Sequence, residues 1–143
     1  MEQYLPQVSK ADLILNILGL VPEEQFSPVQ IQKLFFLLDK RLKLNCFNFK
    51  AYHYGPYDKD LTDTLTSLAV FSGKIEIKDI NGIAHYQISN NYIPDTSNFL
   101  DSEKRDFIKS MVSFVKSLSF KQLCMAIYKE FPEMAENSVF FRK

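Results

Sequence analysis

Apolar residues recur at helical spacing in several stretches of the chain and alternate with polar residues in others, and this pattern predicts an order of elements. Residues 10 to 20, KADLILNILGL, put Leu13, Ile14, Ile17 and Leu18 on one face after a cap at Ser9, with Gly19 near the end. The second helix has a stronger start. Ser27 caps it, Pro28 suits the first helical position, and Gln30 completes an S-x-x-Q capping box. It runs to about Leu42. The stripe Ile31, Leu34, Phe35, Leu38 and Leu42 is widened by Phe36 and Leu37 until little of the middle can face water, so this helix is expected at the centre. Lys33, Lys40, Arg41 and Lys43 are expected as its solvated edge and C-terminal charge complement.

Residues 47 to 54, FNFKAYHY, alternate imperfectly and are rich in strand-preferring aromatics, which predicts a short strand. Gly55-Pro56 is expected to stop it, and a third helix to begin at Tyr57. Leu61, Leu65 and Leu68, with Ala69, form the inner face of that helix, and Gly73 closes it. Asp58, Asp60 and Asp63 lie near the positive end of its dipole, where carboxylates stabilise a helix start.

The clearest local signal is KIEIKDINGIAHYQIS, two alternating runs around Asn81-Gly82. A hairpin with those two residues as its loop pairs Ile77 with Tyr86 and Ile75 with Ile88 on one face. Glu76 then meets Gln87, and Lys78 meets His85, on the other. The same register puts the apolar pair Ile80 and Ile83 at the tip of the polar face, where cover by a later helix or a binding role would explain them.

NNYIPDTSN reads as a loop. A fourth helix, from about Asp101 to Leu118, is expected to bury Phe107, Ile108, Met111, Val112 and Val115. Ser119 and Gln122 form another capping box, opening a helix that turns Phe120, Leu123, Cys124, Ile127 and Phe131 inward until Pro132. The expectation is a single domain over 1–143, with a core at 1–90 and a helical C-terminal part at 99–143.

Composition narrows the function classes. Apolar residues make up 46% of the chain and include 13 Phe, enough to offset the entropy of ordering. Lys plus Arg and Asp plus Glu balance at 17 each, so no net field draws the protein to phosphate backbones. Cys46 and Cys124 have no C-x-x-C spacing and follow nothing resembling a secretory signal, which leads us to expect a cytoplasmic setting. No apolar run approaches the roughly 20 residues of a membrane span.

Chemistry finds little to work with. Two Cys and two His, at 46, 124, 53 and 85, lack ligand spacing, so no metal or other cofactor is expected. A nucleophilic Cys46 activated by His53 would be separated from it by about 20 Å along a strand. The scattered glycines build no phosphate loop. What stands out is the aromatic corner Tyr52, His53, Tyr54 and Tyr57. Its tyrosines pack a strand-to-helix corner and also suit an interface, because each offers rigid area with a polar tip.

Helix, helix, short strand, helix, hairpin is the order of a winged helix-turn-helix, so the fold class expected is α+β with a winged-helix-like core and C-terminal helices. A DNA reader should offer Arg, Lys, Asn or Gln from the third helix and cations from the wing. The early positions of that helix expected at the surface are instead Asp58, Lys59, Thr62 and Asp63, and Lys74 and Lys78 in the wing are offset by Glu76 and Asp79. Protein contact is the better expectation. The candidate surface is Tyr52, Tyr54, Tyr57, Asp58 and Asp63, with Ile80 and Ile83 at the wing tip.

Three blocks in order, IQKLFFLLDKRL, YHYGPYDKDLTDTLTSL and IYKEFPEMAENSV, resemble the Panacea (SocA-like) antitoxin domain family and its prokaryotic relatives. Many relatives read G-P-V where this chain has Gly55-Pro56-Tyr57. The resemblance implies a non-enzymatic protein-binding module encoded beside a toxin or within an antiviral defence locus, which controls its neighbour by direct contact. A homodimer is also an allowed assembly. The alternative from the fold is a winged-helix DNA-binding transcriptional regulator using the wing and the basic edge of the second helix.

Overall fold

The chain is described by a computed structural model over residues 9–94 and 100–141. Within these residues the order is α1 (Lys10–Gly19), α2 (Pro28–Leu42), β1 (Lys50–Tyr52), β2 (Gly55–Tyr57), α3 (Lys59–Val70), β3 (Ile75–Ile80), β4 (Ile83–Ile88), α4 (Ser102–Ser117) and α5 (Phe120–Glu130). Two short 3-10 turns, Pro132–Ala135 and Val139–Phe141, follow. The protein is therefore mixed α+β, with five helices and two small antiparallel hairpins among the described residues. Residues 95 to 98 of the expected loop, and the last two of the chain, lie outside that description.

α2 is the hub. Every residue from Ile31 to Leu38 is buried, and α4, α5, β2 and β4 pack against it. Its start is fixed by the capping box read from the sequence: the Ser27 amide donates to Gln30 Oε1 at 3.0 Å and the Gln30 amide to Ser27 Oγ at 3.2 Å. Ser119 and Gln122 open α5 in the same way. α1 contributes Leu13, Ile14, Ile17 and Leu18, and α4 contributes Ile108, Val112 and Val115, to one continuous apolar cluster. Phe107 and Met111 lie at its margin, half-buried.

The β3–β4 hairpin has the expected register, with Ile77 opposite Tyr86, Ile75 opposite Ile88, Glu76 opposite Gln87 and Lys78 opposite His85. Asn81 and Gly82 both take positive φ, at 53° and 82°, as a two-residue turn matched to strand twist requires. Phe26, in the α1–α2 connection, exchanges backbone hydrogen bonds with Tyr86 at 3.0 and 2.8 Å and anchors the hairpin to the core.

Four expectations are corrected. Gly55-Pro56 does not end a strand: β1 reverses at His53-Tyr54, and Gly55–Tyr57 returns as β2 in register Lys50–Tyr57 and Tyr52–Gly55. Pro56 is tolerated because a two-stranded hairpin has an outer edge that needs no donor. α3 consequently starts at Lys59, with Asp58 as its cap, and ends at Val70 rather than Gly73. Residues 47 to 49 are irregular rather than strand, because the Phe47 and Phe49 rings pack on Phe35 and Phe36 at 5.7 and 5.4 Å. Lys33 is not on a solvated edge; it is buried beneath β2, while Lys40, Arg41 and Lys43 are exposed as expected.

Candidate functional site

The β1–β2 corner sits where α2, α5 and the C-terminal turns meet. Gly55 opposes Tyr52 and carries no side chain, so the Tyr52 ring stacks diagonally on Tyr57, with centroids 5.3 Å apart. Tyr52 also lies 4.3 Å from the His53 ring. Gly55 takes φ 99°, and a Cβ there would come within 3.2 Å of Tyr128 Cε1, so both the turn and the close approach of α5 call for glycine. The backbone is pinned from the far side: Val139 N donates to His53 O at 2.9 Å, and Asn137 Nδ2 to Ala51 O at 3.1 Å.

Tyr54 projects toward the start of α5. Its ring meets Phe120 edge-on at 5.0 Å, and both approach Phe140, at 6.3 and 5.8 Å. Sequence periodicity places Phe120 inward; it is in fact 45% exposed, because it is the first residue of α5 and the inner face is filled from Leu123 onward, with Tyr128 joining Cys124 and Ile127. Tyr54 and Phe120 thus form an exposed aromatic pair, with Tyr52 exposed in the groove it shares with Tyr54 and Phe141 exposed in the hollow it shares with Tyr52, a surface cluster drawn from the middle and the C-terminal part of the chain. Such apolar area on a protein surface marks a contact site more often than scattered single residues do.

Beside this cluster runs a groove between the first turn of α2 and the hairpin, about 280 Å³ in volume, lined by Pro28, Val29, Tyr52, Tyr54, Tyr57 and Lys33 among others. Burial lowers the Lys33 ammonium to about 8, opposed only by the nearby Cys124. Its Nζ donates to the Pro56 carbonyl at 3.3 Å.

The acidic candidates divide. Asp58, expected at the surface, is buried and serves structure. Its Oδ1 caps α3 through the Asp60 amide at 2.9 Å, and its Oδ2 accepts from the Asn48 amide at 3.1 Å and from Lys10 Nζ at 3.3 Å. A carboxylate so occupied is withdrawn from any contact surface. Asp63 is exposed on α3, but pairs with Lys59 at 2.9 Å, and Asp60 pairs with Lys10 at 2.7 Å. Ile80 and Ile83 face each other at the tip of the β3–β4 hairpin and are exposed, so no later helix covers them among the described residues.

A second, polar cleft of about 680 Å³ contains Cys46, Asp58, Lys10 and Lys50. It does not include His53, which lines a separate hollow with Glu136, Asn137 and Ser138. Burial, with the Lys10 ammonium opposing it, pushes the Cys46 thiol up to about 11. A thiol so placed is protonated at neutral pH and is a poor nucleophile. Among the described residues no cluster of three or more His, Cys, Asp or Glu side chains could hold a metal ion, and no helix is long and apolar enough to cross a membrane.

Sequence reasoning missed Lys33, Phe120, Phe140 and Phe141 as neighbours of the tyrosines, and Phe71, which is 87% exposed at the end of α3. Only Phe71 carried a readable signal, lying off the apolar stripe of its helix. Compared with known proteins, the chain matches no family model, no curated protein and no solved structure.

Proposed function

We propose that this chain is a non-enzymatic protein-binding module of the antitoxin or genome-defence kind, acting in the cytoplasm, which controls a partner protein by direct contact through the aromatic surface of Tyr52, Tyr54 and Phe120. The observation that carries this reading is the joint exposure of Tyr54 and Phe120, whose rings meet at 5.0 Å, beside Tyr52 on the shared groove of the hairpin corner. Rigid aromatic area at a fixed position is the usual source of binding energy in interfaces. The antitoxin assignment rests on the resemblance of the three sequence blocks to the Panacea group.

A winged-helix core is the architecture we assign. Its support is the order of α1, α2, α3 and the β3–β4 hairpin, with the Phe26–Tyr86 bridge where such a core joins its first strand to the wing. The DNA-regulator alternative draws less support, because Lys59 on α3 is paired with Asp63 and the hairpin carries the apolar Ile80 and Ile83 at its tip.

The test is co-purification of the tagged chain expressed with its native neighbouring genes, after nuclease treatment, at low and high salt. A stoichiometric protein retained at high salt, and lost from the Tyr54→Ala variant, is expected. Recovery of nucleic acid alone, released by salt, would replace this reading with the DNA regulator.

A further inference from the structure

The groove beside the tyrosines allows the binding reading above, on which this inference rests, to be sharpened to a ligand class. Its walls are mostly apolar or aromatic, with Gln32 the polar exception already bonded to the Asp58 backbone, and Lys33 is the one charged residue among those that line it. The Lys33 side chain is buried, with 3% of the residue exposed, and among the described residues it forms no ion pair. Its bond to the Pro56 carbonyl engages one of three donors with a neutral acceptor, at a distance long for a charge-assisted contact. An ammonium taken out of water without an anion is costly, and such groups in a concavity mark sites that receive one. Pro28 and Val29, in the first turn of α2, place the positive end of a helix dipole at the same groove.

We propose that this groove captures the C-terminal residue of a partner chain, with its apolar side chain among Tyr52, Tyr54 and Val29 and its α-carboxylate paired with Lys33. A chain terminus meets both demands of the groove at once, since the anion lies within two bonds of the apolar side chain. An Asp or Glu side chain would bring the charge with little apolar area, and an internal strand would bring no charge. The volume, just below the usual range of small-molecule pockets, suits one side chain and its terminus.

The experiment is an NMR titration of the labelled full chain with acetyl-Gly-Gly-Val, acetyl-Gly-Gly-Leu and acetyl-Gly-Gly-Phe, each as the free acid and as the C-terminal amide. The Tyr54 and Gly55 amides and the Lys33 side chain are the reporters. At least one free acid is expected to bind tenfold or more tightly than its amide, and Lys33→Met to abolish that difference. Equal binding of acid and amide would overturn carboxylate capture while leaving the aromatic contact surface in place. No response at the groove up to ~10 mM peptide, well above a millimolar Kd, would overturn it as well. The acid-to-amide comparison is made on the unaltered protein, so the outcome does not depend on the variant folding. Co-purification reports separately on whether the chain binds a protein at all.

Discussion

Gln32 and Asp58 exchange two hydrogen bonds inside the protein: the Asp58 amide donates to Gln32 Oε1 at 2.9 Å, and Gln32 Nε2 donates to the Asp58 carbonyl at 3.0 Å. A side-chain amide on α2 thereby acts as a strand partner for the backbone that leads into α3. Gln32→Leu would leave the buried Asp58 N–H without a partner, at about 1–3 kcal/mol, while the Asp58 carbonyl keeps the Leu61 amide at 3.2 Å. We expect a loss of at least ~1 kcal/mol in urea unfolding. A loss below ~0.5 kcal/mol would mean that water replaces Gln32 at no cost, so that the corner is not held as described.

Lys33 predicts an unusual dependence of stability on pH. Its folded value of about 8 lies below the ordinary 10.5. Below about pH 8 the amine is charged in both states, and the native state bears the full burial penalty. Between those two values the unfolded chain still binds the proton that the native state has released, so this group makes stability rise with pH. Lys33→Met is expected to stabilise the protein near neutrality, by at most ~3 kcal/mol for a shift of this size. That advantage should shrink as pH climbs toward 10.5, and comparing the two proteins at each pH cancels other titrating groups such as Cys46. A constant difference across the range would show that folding does not lower the Lys33 pKa, as for an ammonium that stays well hydrated in the native state.

Gly55→Ala tests the close approach of the hairpin to α5. The substitution forces φ 99° on an L-residue and presses Cβ to 3.2 Å from the Tyr128 ring. A cost of about 1–3 kcal/mol is expected from backbone strain alone. Retention of wild-type stability would require β2 to shift, which would be visible as altered shifts at Tyr52 and Tyr54.

Alanine at Tyr54 or at Phe120 is expected to weaken binding of the co-purified partner at least tenfold, about 1.4 kcal/mol, without a comparable loss of fold stability because both rings are half exposed. Ile80→Ser with Ile83→Ser probes the hairpin tip independently. If all of these variants bind within about threefold of the parent, less than ~0.7 kcal/mol, the contact surface lies elsewhere, with the exposed Phe71 region the next to examine.

Cys46 should behave as an inert thiol despite its cleft. With its pKa pushed to about 11 from 9.0, its thiolate fraction at neutral pH falls roughly 100-fold. Alkylation by iodoacetamide is expected to be slow by a comparable factor relative to a free thiol. Labelling as fast as free cysteine would reopen a nucleophilic reading of that cleft.

The sequence by itself determined what depends on neighbours in the chain. Both capping boxes, the buried stripe of α2 and the Asn81-Gly82 turn with its register follow from local spacing, because hydrogen bonds three residues apart and alternation of period two are set without the rest of the fold. Tertiary structure decided what depends on contacts between distant segments. Lys33 reads as one more cation on a helix until β2 closes over it, and Asp58 reads as a surface carboxylate until Lys10 and Asn48 converge on it. Tyr54 and Phe120 are 66 residues apart, and only the docking of α5 against the corner brings their rings to 5.0 Å. Helical periodicity assigned Phe120 to the core because it counts phase along one helix. It carries no information on which turns of the helix are covered, and burial in α5 begins only at Leu123, which leaves the Phe120 ring at the surface.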